Sequence, residues 1–169
     1  DRIDLGQLSL SNVDHVEVIE GPMSVVYGSN ALAGAINIIT SDYSDKNVLF
    51  NANAYYETVG VYNFDAAGSK RFGKHTFSLN AARNFHGGWG TEDSSRYRIW
   101  KPKLQYLAGG SYHFRNKSFI LKYNTDYLHE ELRDLGPLEI ENLYEKAIDG
   151  YHFTQRWNNR LDVSNTFSD

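Results

Sequence analysis

VDHVEVIEGPMSVVYGSNALAGAINIIT, residues Val13–Thr40, is the stretch on which the reading of this chain turns. Val16 and Val18 alternate with Glu17, and β-branched residues dominate, so Val13–Ile19 is expected to be a strand. Gly21 and Pro22 stop it, because proline has no amide hydrogen to give to a ladder. Proline also suits the first position of a helix, so Met23–Tyr27 is expected to make one short turn. Gly28, Ser29 and Asn30 break that turn. Ala35–Thr40 is a second β-rich run, and Gly34 before it permits close backbone approach. Read blandly, this is a small α/β unit without chemistry. A phosphate loop is the sharper reading, since Gly28 and Gly34 bracket a turn. No Lys-Ser/Thr pair follows Gly34 and no GxGxxG occurs, so nucleotide binding is set aside.

Downstream of Thr40 the pattern changes. Ser41–Lys46 is a polar linker, and runs of strict alternation follow it. Val48, Phe50, Ala52, Ala54 and Tyr56 share one parity, while Asn51, Asn53 and Tyr55 share the other. The same holds for Tyr62–Gly68, Phe77–Ala81, Leu104–Phe114, Phe119–Tyr127 and Tyr151–Val163. Period two over ten or more residues exceeds an ordinary strand of about 5–6 residues, and fits tilted membrane strands of about 9–11. A soluble β-sandwich would show shorter strands with turns every 8–12 residues or so, and it loses on strand length. Phe72–Lys74 and Arg115–Lys117 read as tight turns, whereas Phe85–Lys103 and His129–Gly150 read as long connections. Short turns on one side and long loops on the other are the habit of outer-membrane barrels, although Thr58–Gly60 on the long-loop side is short. About six strands are expected. Val48, Phe50, Phe77, Leu79, Tyr106, Phe119, Leu121, Tyr123, Phe153 and Trp157 are expected to face lipid.

Composition agrees with that picture. Among 169 residues there is no cysteine, which excludes disulfides and thiolate metal sites. Seventeen basic against 21 acidic residues leave a net charge of −4, which gives no support for nucleic-acid binding. Mean hydropathy is −0.53, yet 14% of the chain is aromatic. Low hydropathy combined with many aromatic residues is typical of membrane β-barrels. The chain starts at Asp1 without a signal peptide, which is read as truncation. Asp1–Asn12 reads as a polar loop leading into the first strand.

Val13, Val16, Glu17, Val18, Gly21, Pro22, Ser24, Tyr27, Gly28, Ala31, Gly34, Ile36, Asn37, Ile38, Ile39 and Thr40 stand at the spacing of a known pattern. On these residues the chain resembles the TonB-dependent outer-membrane receptors, at the C-terminal end of their plug domain. The resemblance covers about the first quarter of the chain. His15 departs from it where arginine is common, and Glu20 departs where the residue before Gly-Pro is usually basic. In the family that basic residue resembles half of an ionic contact between plug and barrel wall, so Glu20 implies either that this lock is missing or that its polarity is reversed. The resemblance implies a membrane all-β protein: residues 1–41 are part of an α+β plug. Residues 42–169 are the first strands of an antiparallel barrel of about 22 strands with a plugged lumen. Six strands cannot close that barrel, so a fragment of a larger protein is expected.

The implied function is TonB-dependent import of a scarce metal chelate, a ferric siderophore, haem or cobalamin, across the outer membrane of a Gram-negative bacterium. Implied partners are outer-membrane lipid, TonB with its inner-membrane motor, acting through an upstream plug segment, and a surface lipoprotein at the outer loops. The loop from Leu135 to Tyr151 resembles receptors of the Bacteroidetes group. A SusC-like importer of glycans or peptides is the runner-up; its plugs tend to carry K-D-A-S-A where this chain has Glu20–Ser24. A structural or adhesive barrel that transports nothing would lack the plug motif.

Candidate chemistry is sparse. The six histidines form no HExxH and no i,i+4 pair. His86 and His129 fall in or beside the long loops, where a solvated histidine is the preferred reading over a chelate ligand. Trp89, Glu92, Asp93, Tyr97 and, in the second loop, Tyr144 are the candidates for contact with a ligand or partner. The loop carboxylates are oxygen ligands of the kind Ca²⁺ takes, but EF-hand spacing is lacking and a plain hydrophilic loop is preferred. Arg83, Arg156 and Arg160 are expected to point inward and meet Glu17 or Glu20. No set of nucleophile, base and orienting group can be assembled, so an enzyme is not expected, and neither is an intrinsic cofactor.

Overall fold

The structure, a computed structural model, describes Gln7 and residues 13–21, 34–40, 47–91, 96–141 and 143–165. The short helix expected at Met23–Tyr27, the motif residues Pro22, Ser24, Tyr27, Gly28 and Ala31, the linker and the loop acids Glu92 and Asp93 lie outside the described residues.

Among the described residues ten strands follow one another: β1 (Val13–Glu20), β2 (Gly34–Thr40), β3 (Val48–Glu57), β4 (Val61–Phe72), β5 (His75–His86), β6 (Lys103–Arg115), β7 (Phe119–Leu135), β8 (Glu139–Glu141), β9 (Tyr144–Lys146) and β10 (Asp149–Asn165). They build a β1–β2 hairpin, a small β8–β9 hairpin and a six-stranded antiparallel sheet in the order β10-β7-β6-β5-β4-β3. The described residues hold no membrane-spanning helix, a fact silent on strands.

In the β1–β2 hairpin Glu17 stands opposite Asn37 and Glu20 opposite Gly34. The register slips between Val13 and His15, which leaves Asp14 as the extra residue of a bulge. Gly34 has φ +138°, and a Cβ there would lie 2.5 Å from the Ile19 carbonyl oxygen, so only glycine fits.

The large sheet is a meander. β7 and β10 run for 17 residues each, longer than the sequence runs implied. The second long connection therefore shrinks: His129 lies inside β7 and not in a loop. Thr58–Gly60, 87–102 and 136–148 connect strands at one end, the loop end; Gly73–Lys74 and 116–118 do so at the other, the turn end. Positive φ at Gly60 and Gly73 (+89° and +60°) lets those tight turns close.

Cross-strand register sorts the side chains into two faces. Phe50–Gly68–Leu79–Gly110 and Ala52–Ala66–Ala81–Ala108–Tyr127–Trp157 are successive rows on one of them. All ten residues expected from sequence to share the apolar face do share it. Asn51, Asn63, Ser69, Thr76, Asn80, Gln105, Asp126, Glu130 and Arg156 belong to the other. Burial falls on the second face, where Ala67, Leu107 and Leu128 are buried together with polar residues. Ser69, Thr76, Asn80, Gln105 and Glu130 are buried, whereas Phe50, Leu79 and Trp157 are 74%, 72% and 71% exposed.

Candidate functional site

Two groupings gather the polar and aromatic side chains. The first lies on the polar face. Gln105, on β6, donates from Nε2 to Glu130 Oε2 on β7 at 2.6 Å, and accepts from Asn84 Nδ2 on β5 at 3.3 Å. Glu130 and Gln105 are 6% and 2% exposed. A charge at that depth must be hydrogen-bonded, and a second donor comes from far away in sequence: Gln7 Nε2 reaches Glu130 Oε1 at 2.8 Å. Arg156 on β10 donates to Gln7 twice, from Nη1 to Oε1 at 3.2 Å and from Nη2 to the backbone oxygen at 3.0 Å. Gln7 thus bridges an acid on β7 and a base on β10. Arg156 Nε is buried and has no hydrogen-bond partner among the described residues. Gly109 opens space beside this cluster: a Cβ there would fall 2.6 Å from Asn80 Oδ1 and 2.7 Å from Asp126 Oδ1. The arrangement holds a peptide segment against a wall by charge-assisted hydrogen bonds.

At the loop end lies the second grouping. Trp89 and Trp100 exchange backbone hydrogen bonds of 3.0 Å and place their rings 5.8 Å apart. The His86 ring lies 6.0 Å from Trp100, and its Nδ1 accepts from the Gly88 amide at 3.1 Å. Lys101 Nζ sits 4.3 Å from the centre of the Tyr97 ring and 2.5 Å from Asp134 Oδ1. Arg96 pairs with Asp149 at 2.7 Å, which ties the first long loop to the start of β10. The β8–β9 hairpin stands out from this end with Ile140, Leu143 and Tyr144 at 80%, 98% and 77% exposure.

Several expected roles move. Glu17 finds its partners within its own hairpin: Asn37 Nδ2 at 2.9 Å and His15 Nε2 at 3.5 Å. His15 also bonds Asp14 Oδ2 at 2.7 Å, and this bond, with Glu17 nearby, raises its pKa above the ordinary 6.5. Glu20 is exposed. Arg83 is not inward. Its register partners are Phe64 and Tyr106, so it stands on the apolar face, with its guanidinium 5.4 Å from the Phe85 ring centre. Strict parity carries it there, because it is two residues from Ala81. Arg160 is on the polar face but folds back on Asp162, two residues along, at 2.9 Å. Arg156 alone of the three meets the N-terminal segment, and its partner is neutral Gln7. His129 stacks on Tyr106 and bonds Glu131 at 3.2 Å on the apolar face. Among the described residues no group of three His, Asp or Glu could hold a metal ion.

Sequence reading missed Gln7, Gln105 and Glu130. The last two carry a signal, being polar-parity residues in runs whose opposite parity is apolar; Gln7 carries none. No protein-family model matches the sequence.

Proposed function

We propose that this chain is the plug-to-barrel junction of a TonB-dependent outer-membrane receptor, and that it serves energised import of a scarce metal chelate. The single observation that carries the barrel half of the reading is the contrast between the two faces of the sheet. The centre of its polar face is buried, with Gln105 and Glu130 hydrogen-bonded to each other, and its apolar face exposes large aromatic and aliphatic side chains. A face exposing Phe50, Leu79, Phe153 and Trp157 together is costly in water and favourable in lipid.

Two aromatic bands add support. Phe72–Phe77, Phe77–Tyr112, His75–Phe114 and Phe114–Phe119 ring pairs, 5.0–6.3 Å apart, cross the sheet at the turn end. Tyr56–Tyr62 and Tyr62–Phe85 pairs, at 5.1 and 6.0 Å, begin a second band at the loop end. Phe77 to Phe85 is about 27 Å along a strand, or about 21 Å at a typical barrel tilt, near the ~25 Å of an outer-membrane apolar band. In lipid both bare edges, β3 and β10, need strand partners, and a closed barrel supplies them.

The plug half rests on the residues of Val13–Thr40 and on Gln7, seated against the polar face. In this reading the loop-end aromatics and the β8–β9 hairpin face outward, and capture the chelate or dock a surface partner. The test is cysteine labelling in intact cells of the native protein. Cysteines at Thr91 and Tyr144 are expected to react with an impermeant thiol reagent, and cysteines at Lys74 and Asn116 only after permeabilisation. Import is read separately, as loss of chelate-dependent growth on deletion of 87–102. Correct labelling without any such loss leaves a barrel that does not import.

A further inference from the structure

The apolar face carries a feature that lipid exposure alone does not call for. Ala52, Ala66, Ala81 and Ala108 are direct cross-strand neighbours, so a row of four methyl groups crosses four strands, flanked on the turn side by the mixed row Phe50, Gly68, Leu79 and Gly110. The row floors a shallow, open trough of about 770 Å³, and a second of about 750 Å³ adjoins it toward Phe77. One row nearer the loop end, Arg83, Tyr106, His129 and Gln155 are likewise direct neighbours. That row places a guanidinium, a phenol, an imidazole and an amide along the upper edge of the trough. Gln155 Nε2 lies 3.4 Å from His129 Nδ1, and the other ring nitrogen bonds Glu131, so the imidazole is already committed. The described contact of Arg83 is with the face of Phe85, a contact that uses none of its N–H donors.

We propose that this face holds a specific site for one membrane lipid with an anionic phosphate headgroup. The phosphate sits on Arg83 and the Tyr106 hydroxyl, and an acyl chain lies in the alanine trough. The inference rests on the barrel reading above. Charge decides the occupant. Arginine on a lipid-facing strand is unfavourable unless it reaches the interface or an anion, and its planar fork matches phosphate. A second copy of the chain packed on the trough by two-fold symmetry would bring like-charged Arg83 edges into the same interface.

The experiment takes the intact protein in nanodiscs of phosphatidylcholine with a minor fraction of phosphatidylglycerol, followed by native mass spectrometry. Wild type is expected to retain one phosphatidylglycerol in preference to phosphatidylcholine. Arg83→Gln is expected to lower that preference about tenfold, the scale of one charge-assisted contact, and Arg83→Lys to keep most of it. Ala81→Leu with Ala108→Leu fills the trough, and is expected to reduce retention of both lipids while leaving the charge preference intact. Arg83→Gln removes a charge from the lipid face, so assembly is expected to be preserved. Equal selectivity in Arg83→Gln and wild type overturns the site and leaves the barrel standing. So does a retained dimer without lipid that the double leucine variant abolishes. Protein that stays monodisperse in detergent-free buffer overturns the barrel reading and the site together.

Discussion

Ala81→Arg separates a membrane sheet from a water-exposed one. Ala81 stands four residues from Phe77 and four from Phe85 on β5, midway between the two aromatic bands, with Ala66 and Ala108 as its cross-strand neighbours. Its side chain is exposed, so an arginine meets no packing obstacle. In water such a surface change falls within about ±0.5 kcal/mol. At the centre of a lipid-facing band it costs about 2–4 kcal/mol, roughly a 30- to 900-fold shift of the folding equilibrium. Four residues are about 13 Å along the strand, too far for the guanidinium to reach either interface without stretching fully. The assay is denaturant titration of the intact protein in phospholipid vesicles, with heat-modifiable gel mobility as the second readout. Asn80→Arg is not a usable control, because Asn80 is buried; Lys74→Arg in the tight turn is, and it is expected to be neutral. Ala81→Arg within 0.5 kcal/mol or so of wild type refutes the placement of this face in lipid.

Other perturbations probe the N-terminal segment. Gln7→Ala removes the bond to Glu130 Oε1 and one of the two from Arg156. It is expected to weaken seating of that segment by about 1–3 kcal/mol, seen as faster amide exchange there with β7 and β10 unchanged; unchanged exchange rejects the bridge. Gly34→Ala puts a Cβ 2.5 Å from the Ile19 oxygen at φ +138°. A loss of about 1–3 kcal/mol in hairpin stability is expected, and full retention by proteolysis would contradict the register. His15 is expected to titrate above 6.5, because Asp14, then Glu17, favour its protonated form. The stabilisation is complete below 6.5 and fades as pH rises through the raised folded value. Asp14→Asn should bring the NMR titration back towards 6.5; an unmoved midpoint would show that Asp14 is not the cause.

Alternation made the sheet legible. In a tilted strand with different environments on its two faces, period two is imposed at every position, so the six long strands and both parities could be read from Val48 to Val163. Low mean hydropathy did not hide the sheet once parity was separated, because Phe50, Leu79 and Trp157 gather on one face and Asn80, Gln105 and Glu130 on the other. Strand ends were less legible. His129–Leu135 carries charged or ionisable residues on both parities, His129, Glu131 and Arg133 on one and Glu130 and Asp134 on the other, and beyond the apolar band nothing in the side chains marks where pairing stops. Arg83 went wrong for a related reason: a charge was assumed to lie on the polar face, although its parity with Phe77, Leu79 and Ala81 placed it on the apolar one. Gln7 was out of reach, since a contact across 149 residues to Arg156 leaves no local trace.

The polar cluster joins a neutral amide, Gln7, to an acid and a base on two strands of the sheet. Arg156 stands opposite Leu128, and Asp126 and Glu130 flank that position on the same face of β7. The guanidinium therefore has a carboxylate diagonally to either side, and it acts electrostatically on Asp126. Gln7, a neutral amide, inserts between Arg156 and Glu130 by donating to one and accepting from the other. With an amide as the bridge, Glu130 keeps its 2.6 Å bond to Gln105 when the segment leaves. Arg156 keeps two acids within the diagonal reach of a long side chain. All three hydrogen bonds of Gln7 are charge-assisted, and its two partners differ: Glu130 has a second donor in Gln105, whereas both described hydrogen bonds of Arg156 go to Gln7.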